Sequence, residues 1–120
     1  MEKKIINVDE NGKRIFSDSV IAGNTLYISG QVGYVKGKEN GFEVQFERIM
    51  EKIITLVGKA GGTLRNVVKV NVYIARRDDF MKMNELFVKH FPEHPPARAT
   101  IVTELVNDEM LVELEAVAVL

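Results

Sequence analysis

FERIMEKIITLVGKAGGTLRNVVKVNVYI (residues 46–74) holds two different periods in succession. Apolar residues at Phe46, Ile49, Met50, Ile53, Leu56, Val57 and Ala60 recur every 3.6 residues, which predicts an amphipathic helix stopped by Gly61-Gly62. The run VVKVNVYI (residues 67–74) then alternates, as a strand with one covered face does. Working outward toward the C-terminus, Asp78 and Asp79 are cap candidates for a second helix, FMKMNELFVKHF, ended by Pro92. Two β-like runs, residues 98–106 and 110–120, are separated by Asn107-Asp108-Glu109 and read as an antiparallel hairpin. Toward the N-terminus, KIINV (residues 4–8), a turn at 9–12, residues 15–21 and TLYISGQV (residues 25–32) read as strands on tight connections, followed by a loop over 33–41.

The order β-β-β-α-β-α-β-β defines a single α+β domain over residues 1–120, with two helices covering one side of a mixed sheet. Pairing Val106 with Leu111 puts Ala97, Ala99, Ile101, Leu105, Val112, Leu114, Ala116, Ala118 and Leu120 on one face, expected against the helices. The other face then carries Arg98, Thr100, Val102, Glu104, Glu113, Glu115, Val117 and Val119, joined by Tyr27, Ser29 and Gln31. A sheet face of this kind is either solvated or covered by other copies of the chain. Tyr27, Val102, Val117 and Val119 favour the cover, and hence a cyclic oligomer with charges along its seams.

Composition narrows the function. The 120 residues carry a net charge of −1, which disfavours nucleic acid as the main partner. The absence of cysteine excludes disulfides, thiolate zinc sites and a cysteine nucleophile. No run approaches the ~18 apolar residues of a membrane span, and the N-terminal residues lack the apolar stretch of a signal peptide, so a soluble, cytoplasmic protein is expected. Gly30-Gln31-Val32-Gly33 lacks the strand, turn and helix context of a phosphate loop, and no cofactor is implied. His90 and His94 have no further ligand at metal-binding spacing, so they read as surface residues and no metal is expected.

Arg98 stands just after the stiff Pro95-Pro96 segment, where a fixed guanidinium can grip a carboxylate through two parallel hydrogen bonds. Most such arginines are only solvated or structural, and that alternative stays open here. Glu113 and Glu115 interrupt the apolar strand VELEAVAV; a carboxylate there needs either a cationic partner or a raised pKa, and the second is how a general base near neutrality is made. In the hairpin register Arg98 and Glu113 are about six residues, or ~20 Å, apart. A site using both would be shared between two chains.

SGQVG (residues 29–33), AGGTLRNVVKVNVYI (60–74), DDFMKMNELF (78–87), PPARAT (95–100) and VELEAVAV (112–119) together resemble the RidA/YjgF family of reactive intermediate deaminases, from about Phe16 to Val119. The resemblance implies a chorismate-mutase-like fold, a homotrimer with clefts between subunits, and hydrolysis of 2-imino or enamine acids, such as 2-iminobutanoate and 2-iminopropanoate, to 2-keto acids and ammonia. By the same resemblance, Arg98 holds the substrate carboxylate and Glu113 orients and activates water. Ser29, Gly30 and Asn84 fall on cleft positions, and Thr100 stands where many members have cysteine. In the motif that often reads GPYSQAV this chain has RIFSDSV, so Phe16 replaces a tyrosine and one hydroxyl donor is missing. Phe16 and Phe87 are expected as apolar walls for the short substrate side chain.

Two rival readings compete with this one. Some similar proteins are described as endoribonucleases or translation inhibitors, which a near-neutral chain without a basic stripe or a histidine pair does not favour. A non-catalytic module for small carboxylates would use Arg98 but not Glu113.

Overall fold

The computed structural model describes residues 2–120. Its elements are β1 (Lys4–Ile6), β2 (Ser19–Ala22), β3 (Thr25–Val32), α1 (Phe42–Lys59), β4 (Val67–Ile74), α2 (Phe80–His90), β5 (Ala97–Val102) and β6 (Val112–Val119), with short 3₁₀ turns before β4 and α2. The strands form one mixed sheet in the order β1-β2-β3-β6-β4-β5. This is the predicted α+β architecture, a six-stranded mixed sheet carrying two helices.

The helix stripe behaves as its period requires. Phe46, Ile49, Met50, Ile53, Leu56 and Val57 are all buried, against Leu26, Ile28, Leu114, Ala116 and Ala118 of the sheet in one core. The helix ends in a Schellman arrangement: Gly61 takes φ 93°, and the Gly62 amide donates to the Val57 carbonyl at 2.9 Å. Asp79 does not cap α2 with its side chain; its carboxylate instead accepts from Arg76 Nε at 3.0 Å. His90 Nε2 sits 2.9 Å from Glu47 Oε1 and links the two helices.

The predicted hairpin is not formed. β6 lies in the middle of the sheet, antiparallel to both β3 and β4, while β5 is an edge strand parallel to β4. The physical reason is the intervening helix: strand, helix and strand in succession make a crossover connection, which returns the second strand parallel to the first. Residues 103–111 bridge the two runs outside any strand.

Parallel pairing with β4 also reverses the expected faces of β5. Val70 and Val72 point into the core, and Arg98 and Thr100 pair with them. Arg98 and Thr100 therefore lie on the helix side, while Ala97, Ala99 and Ile101 share the open face with Lys69, Asn71 and Tyr73. On β6 the alternation holds as expected, with Val112, Leu114, Ala116 and Ala118 buried and Glu113, Glu115, Val117 and Val119 on the open face. Gln31 is buried on the helix side, because a bulge between Ile28 and Gln31 shifts the register of β3.

Candidate active site

Glu113, Glu115, Ser29, Gly30 and Phe16 come together in one open cleft of about 620 Å³, whose other walls are Val32, Val106 and Met110. Glu113 pairs with Val32, just past the β3 bulge, and its side chain comes so close to Gly30 that a Cβ there would overlap Glu113 Oε2. Only glycine leaves the carboxylate where it is. Ser29 is fixed from behind: its hydroxyl donates to the Ser17 carbonyl at 2.7 Å and its amide to the Asp18 carbonyl at 2.9 Å.

The two carboxylates of the cleft are shifted in opposite directions. Glu115 accepts from the Tyr73 hydroxyl at 2.6 Å and from the Asn71 amide at 3.0 Å, and these bonds outweigh burial to hold it below the ordinary glutamate value. Burial, and next the neighbouring Glu115 charge, push Glu113 above that value. The two proton affinities are thus drawn apart, which is the arrangement that separates a fixed charge from a group that exchanges protons.

Arg98 belongs to a second cluster. Its guanidinium carbon stands 4.9 Å over the centre of the Phe87 ring and its Nη1 is 3.5 Å from Met83 Sδ. Among the described residues Arg98 has no carboxylate partner. Thr100, two residues on along the same face, has a buried Oγ1 without a hydrogen-bond partner. Asn84 is half-buried on α2, three residues before Phe87 and so on the same side of the helix.

The eight residues singled out in the sequence therefore form two groups. By register, Arg98 is level with Ala116 across β4, so Glu113 is three residues along and two strands over. That is ~14 Å within the sheet, using ~3.3 Å per residue and ~4.8 Å per strand. The two groups also project from opposite faces. The ~20 Å of the hairpin register is thus replaced by a shorter but more decisive separation, since a sheet lies between them. Asn71 and Tyr73, which set the state of Glu115, were not anticipated. The alternation in VVKVNVYI carried the signal, because Lys69, Asn71 and Tyr73 fall on one face and that face meets Glu113 and Glu115 once β4 pairs with β6. No cluster of three or more metal-ligating side chains occurs among the described residues.

An α+β protein with an acid cleft on its open face and an unpaired guanidinium on its helix face defines the class. The family described as Endoribonuclease L-PSP matches residues 11–120. A RutC family protein of Pyrococcus abyssi is 33% identical over 98% of both chains. The crystal structure of RidA from a Psychrobacter species is 34% identical, covers 97% of this chain and 98% of its own, and superposes with a TM-score of 0.86. A mitochondrial protein of Saccharomyces cerevisiae is 29% identical over 87% of this chain and 74% of its own. The chain belongs to the RidA/YjgF family.

Proposed function

We propose that this protein hydrolyses 2-imino and enamine acids such as 2-iminobutanoate and 2-iminopropanoate to 2-keto acids and ammonia, at sites completed between subunits of a homotrimer. The observation that carries the reading is the state of Glu113: a carboxyl raised above its ordinary pKa, facing an open cleft, beside a second carboxylate that stays charged. Arg98 supplies the other half. Its unpaired guanidinium grips the substrate carboxylate, and the Phe87 ring beneath it fixes the plane of the fork. Since the two lie on opposite faces of one sheet, Arg98 of one copy serves Glu113 of the next. The exposed Tyr27, Ile101 and Val119 on the open face support such an assembly.

The chemistry asks little of the protein, because an iminium carbon is already electrophilic. Glu113 takes a proton from water as the oxygen attacks C2, giving a carbinolamine. Return of that proton to nitrogen makes ammonia the leaving group, and as the C–N bond breaks the Glu113 carboxylate takes the hydroxyl proton, so that the carbonyl forms. Phe16, Val32, Val106 and Met110 shield the reacting carbon and seat the alkyl group. No cofactor enters the reaction. The cleft is lined by two carboxylates and no histidine, which suits hydrolysis of an imine better than the endoribonuclease activity that the family description names. A cytoplasmic location accompanies this reading, and no helix among the described residues is long and apolar enough to cross a membrane.

The direct test couples the protein to a threonine dehydratase and follows the release of 2-oxobutanoate. The protein is expected to accelerate hydrolysis of the imine above its spontaneous rate; an unchanged rate would remove the proposal. Gly30→Ala is expected to lower kcat/KM roughly a hundredfold, because the added methyl displaces the Glu113 carboxylate from the attacking water. Its melting temperature stays near that of wild type, since what must yield is the end of a flexible side chain. Steady-state kinetics beside thermal melts check both parts.

A further inference from the structure

The chain between β1 and β2, residues 7–18, is closed at its base by one residue. Asp18 Oδ2 accepts the Val8 amide at 2.8 Å, and the Asp18 amide donates to Asn7 Oδ1 at 2.8 Å. Asp18 Oδ1 pairs with Arg14 Nη1 at 3.2 Å; the other amino group of Arg14 reaches the Asp9 carbonyl at 2.6 Å and its carboxylate at 3.1 Å. Phe16, a wall of the Glu113 cleft, is thus suspended between two clamped residues. The main chain of this same stretch also holds Ser29, through the Ser17 and Asp18 carbonyls. Behind the cleft, Lys52 shares a small pocket with Asp18 and Arg14 and donates to the carbonyl of Val32, a further cleft wall, at 2.8 Å.

Without those ties Phe16 would ride on an exposed loop and Ser29 would lose both acceptors' fixed positions. Asp18 does not line the cleft. We propose that Asp18, through Arg14 and through the backbone of residues 16–18, is a positioning residue that sets the Phe16 and Ser29 walls of the Glu113 cleft. The inference rests on that cleft being where imines react. Its effect falls on the reacting geometry rather than on capture of the substrate carboxylate, which Arg98 of the neighbouring copy performs.

The test uses the full chain as Asp18→Ala, Asp18→Asn and Arg14→Ala, with residue-resolved amide exchange and steady-state imine hydrolysis. Asp18→Ala is expected to speed exchange at Val8 and Ser29 about tenfold, the scale of one lost charged hydrogen bond, while amides of α1 and β4 keep their protection. In the same variant kcat falls about tenfold, as a loosened near-attack geometry requires, and KM stays nearly unchanged. Asp18→Asn keeps an acceptor for Val8 but loses the ion pair, so it retains protection at Val8 and recovers part of kcat; Arg14→Ala matches it in kcat. Wild-type kcat in Asp18→Ala would overturn the inference. So would exchange that rises throughout the chain, which marks a merely structural role. If the wild-type protein fails to accelerate imine hydrolysis, the deaminase reading falls separately, and unchanged exchange at Ser29 in Asp18→Ala would then overturn the Asp18 inference by itself.

Discussion

Arg98→Ala is expected to lower kcat/KM for 2-iminobutanoate by about a hundredfold or more, the scale of removing one partner from a desolvated charge pair. Folding should barely register the change. The guanidinium forms no ion pair among the described residues, and what it contributes to the protomer is its contact with Phe87 and Met83, of which the cation–π part is worth ~0.5–1 kcal/mol. Arg98→Lys keeps the charge but loses the planar fork, so its rate should fall between the two. Kinetics beside thermal melts and a sizing measurement check this. A variant with wild-type kcat/KM would remove the carboxylate clamp, and a variant that fails to fold would make Arg98 structural.

The second large effect concerns Glu113, and it has opposite signs for rate and stability. Glu113→Gln cannot accept the proton of the attacking water, and kcat should fall by roughly 10²–10⁴, the range of a lost general base. Stability moves the other way. Burial and the neighbouring Glu115 raise the Glu113 pKa in the fold, so the wild-type protein binds its proton more tightly folded than unfolded. A raised carboxyl contributes stability below its unfolded pKa and loses that contribution as pH rises through the folded value. Glutamine, neutral throughout, escapes the loss. Glu113→Gln should therefore melt higher than wild type at pH 8, with the advantage disappearing toward pH 4. Melts across that range check the sign; a variant less stable than wild type at pH 8 would show that Glu113 serves the fold rather than a reaction.

Much of this was legible in the sequence because it depends on period alone. The stripe from Phe46 to Val57 and the alternation of β6 each have one physical solution once a core exists, and both helices and all six strand runs were placed by pattern, although the run at 15–21 starts four residues before β2. The partner of β5 was not, since Asn107-Asp108-Glu109 mimics a hairpin turn while the competing signal, a helix between two strands, is spread over thirty-odd residues. That error alone put Arg98 and Thr100 on the wrong face. The acid cleft was only half visible: Glu113 and Glu115 stand out as charges in an apolar run, but the contact with Gly30 and the bonds from Tyr73 and Asn71 depend on which strands flank β6. Gln45 escaped notice for a similar reason. It lies on the buried side of α1, one residue before Phe46, and a polar residue there looks like a defect until its partners are known. In the fold its amide donates to the carbonyls of Asn40 and Glu109 and its oxygen accepts from Leu111, tying the Met110 wall of the cleft to the helix.

Mixing two dead variants tests most directly whether one site draws Arg98 from one copy and Glu113 from another. Arg98→Ala and Glu113→Gln protomers are unfolded together in equal amounts, refolded, and assayed for imine hydrolysis against each parent alone. Random assembly places an intact Arg98 against an intact Glu113 at about one quarter of the seams of a closed ring, so about a quarter of the wild-type rate should return. A mixture as inactive as its parents, from protomers that demonstrably exchange, would mean that both groups act within a single chain and would contradict the account.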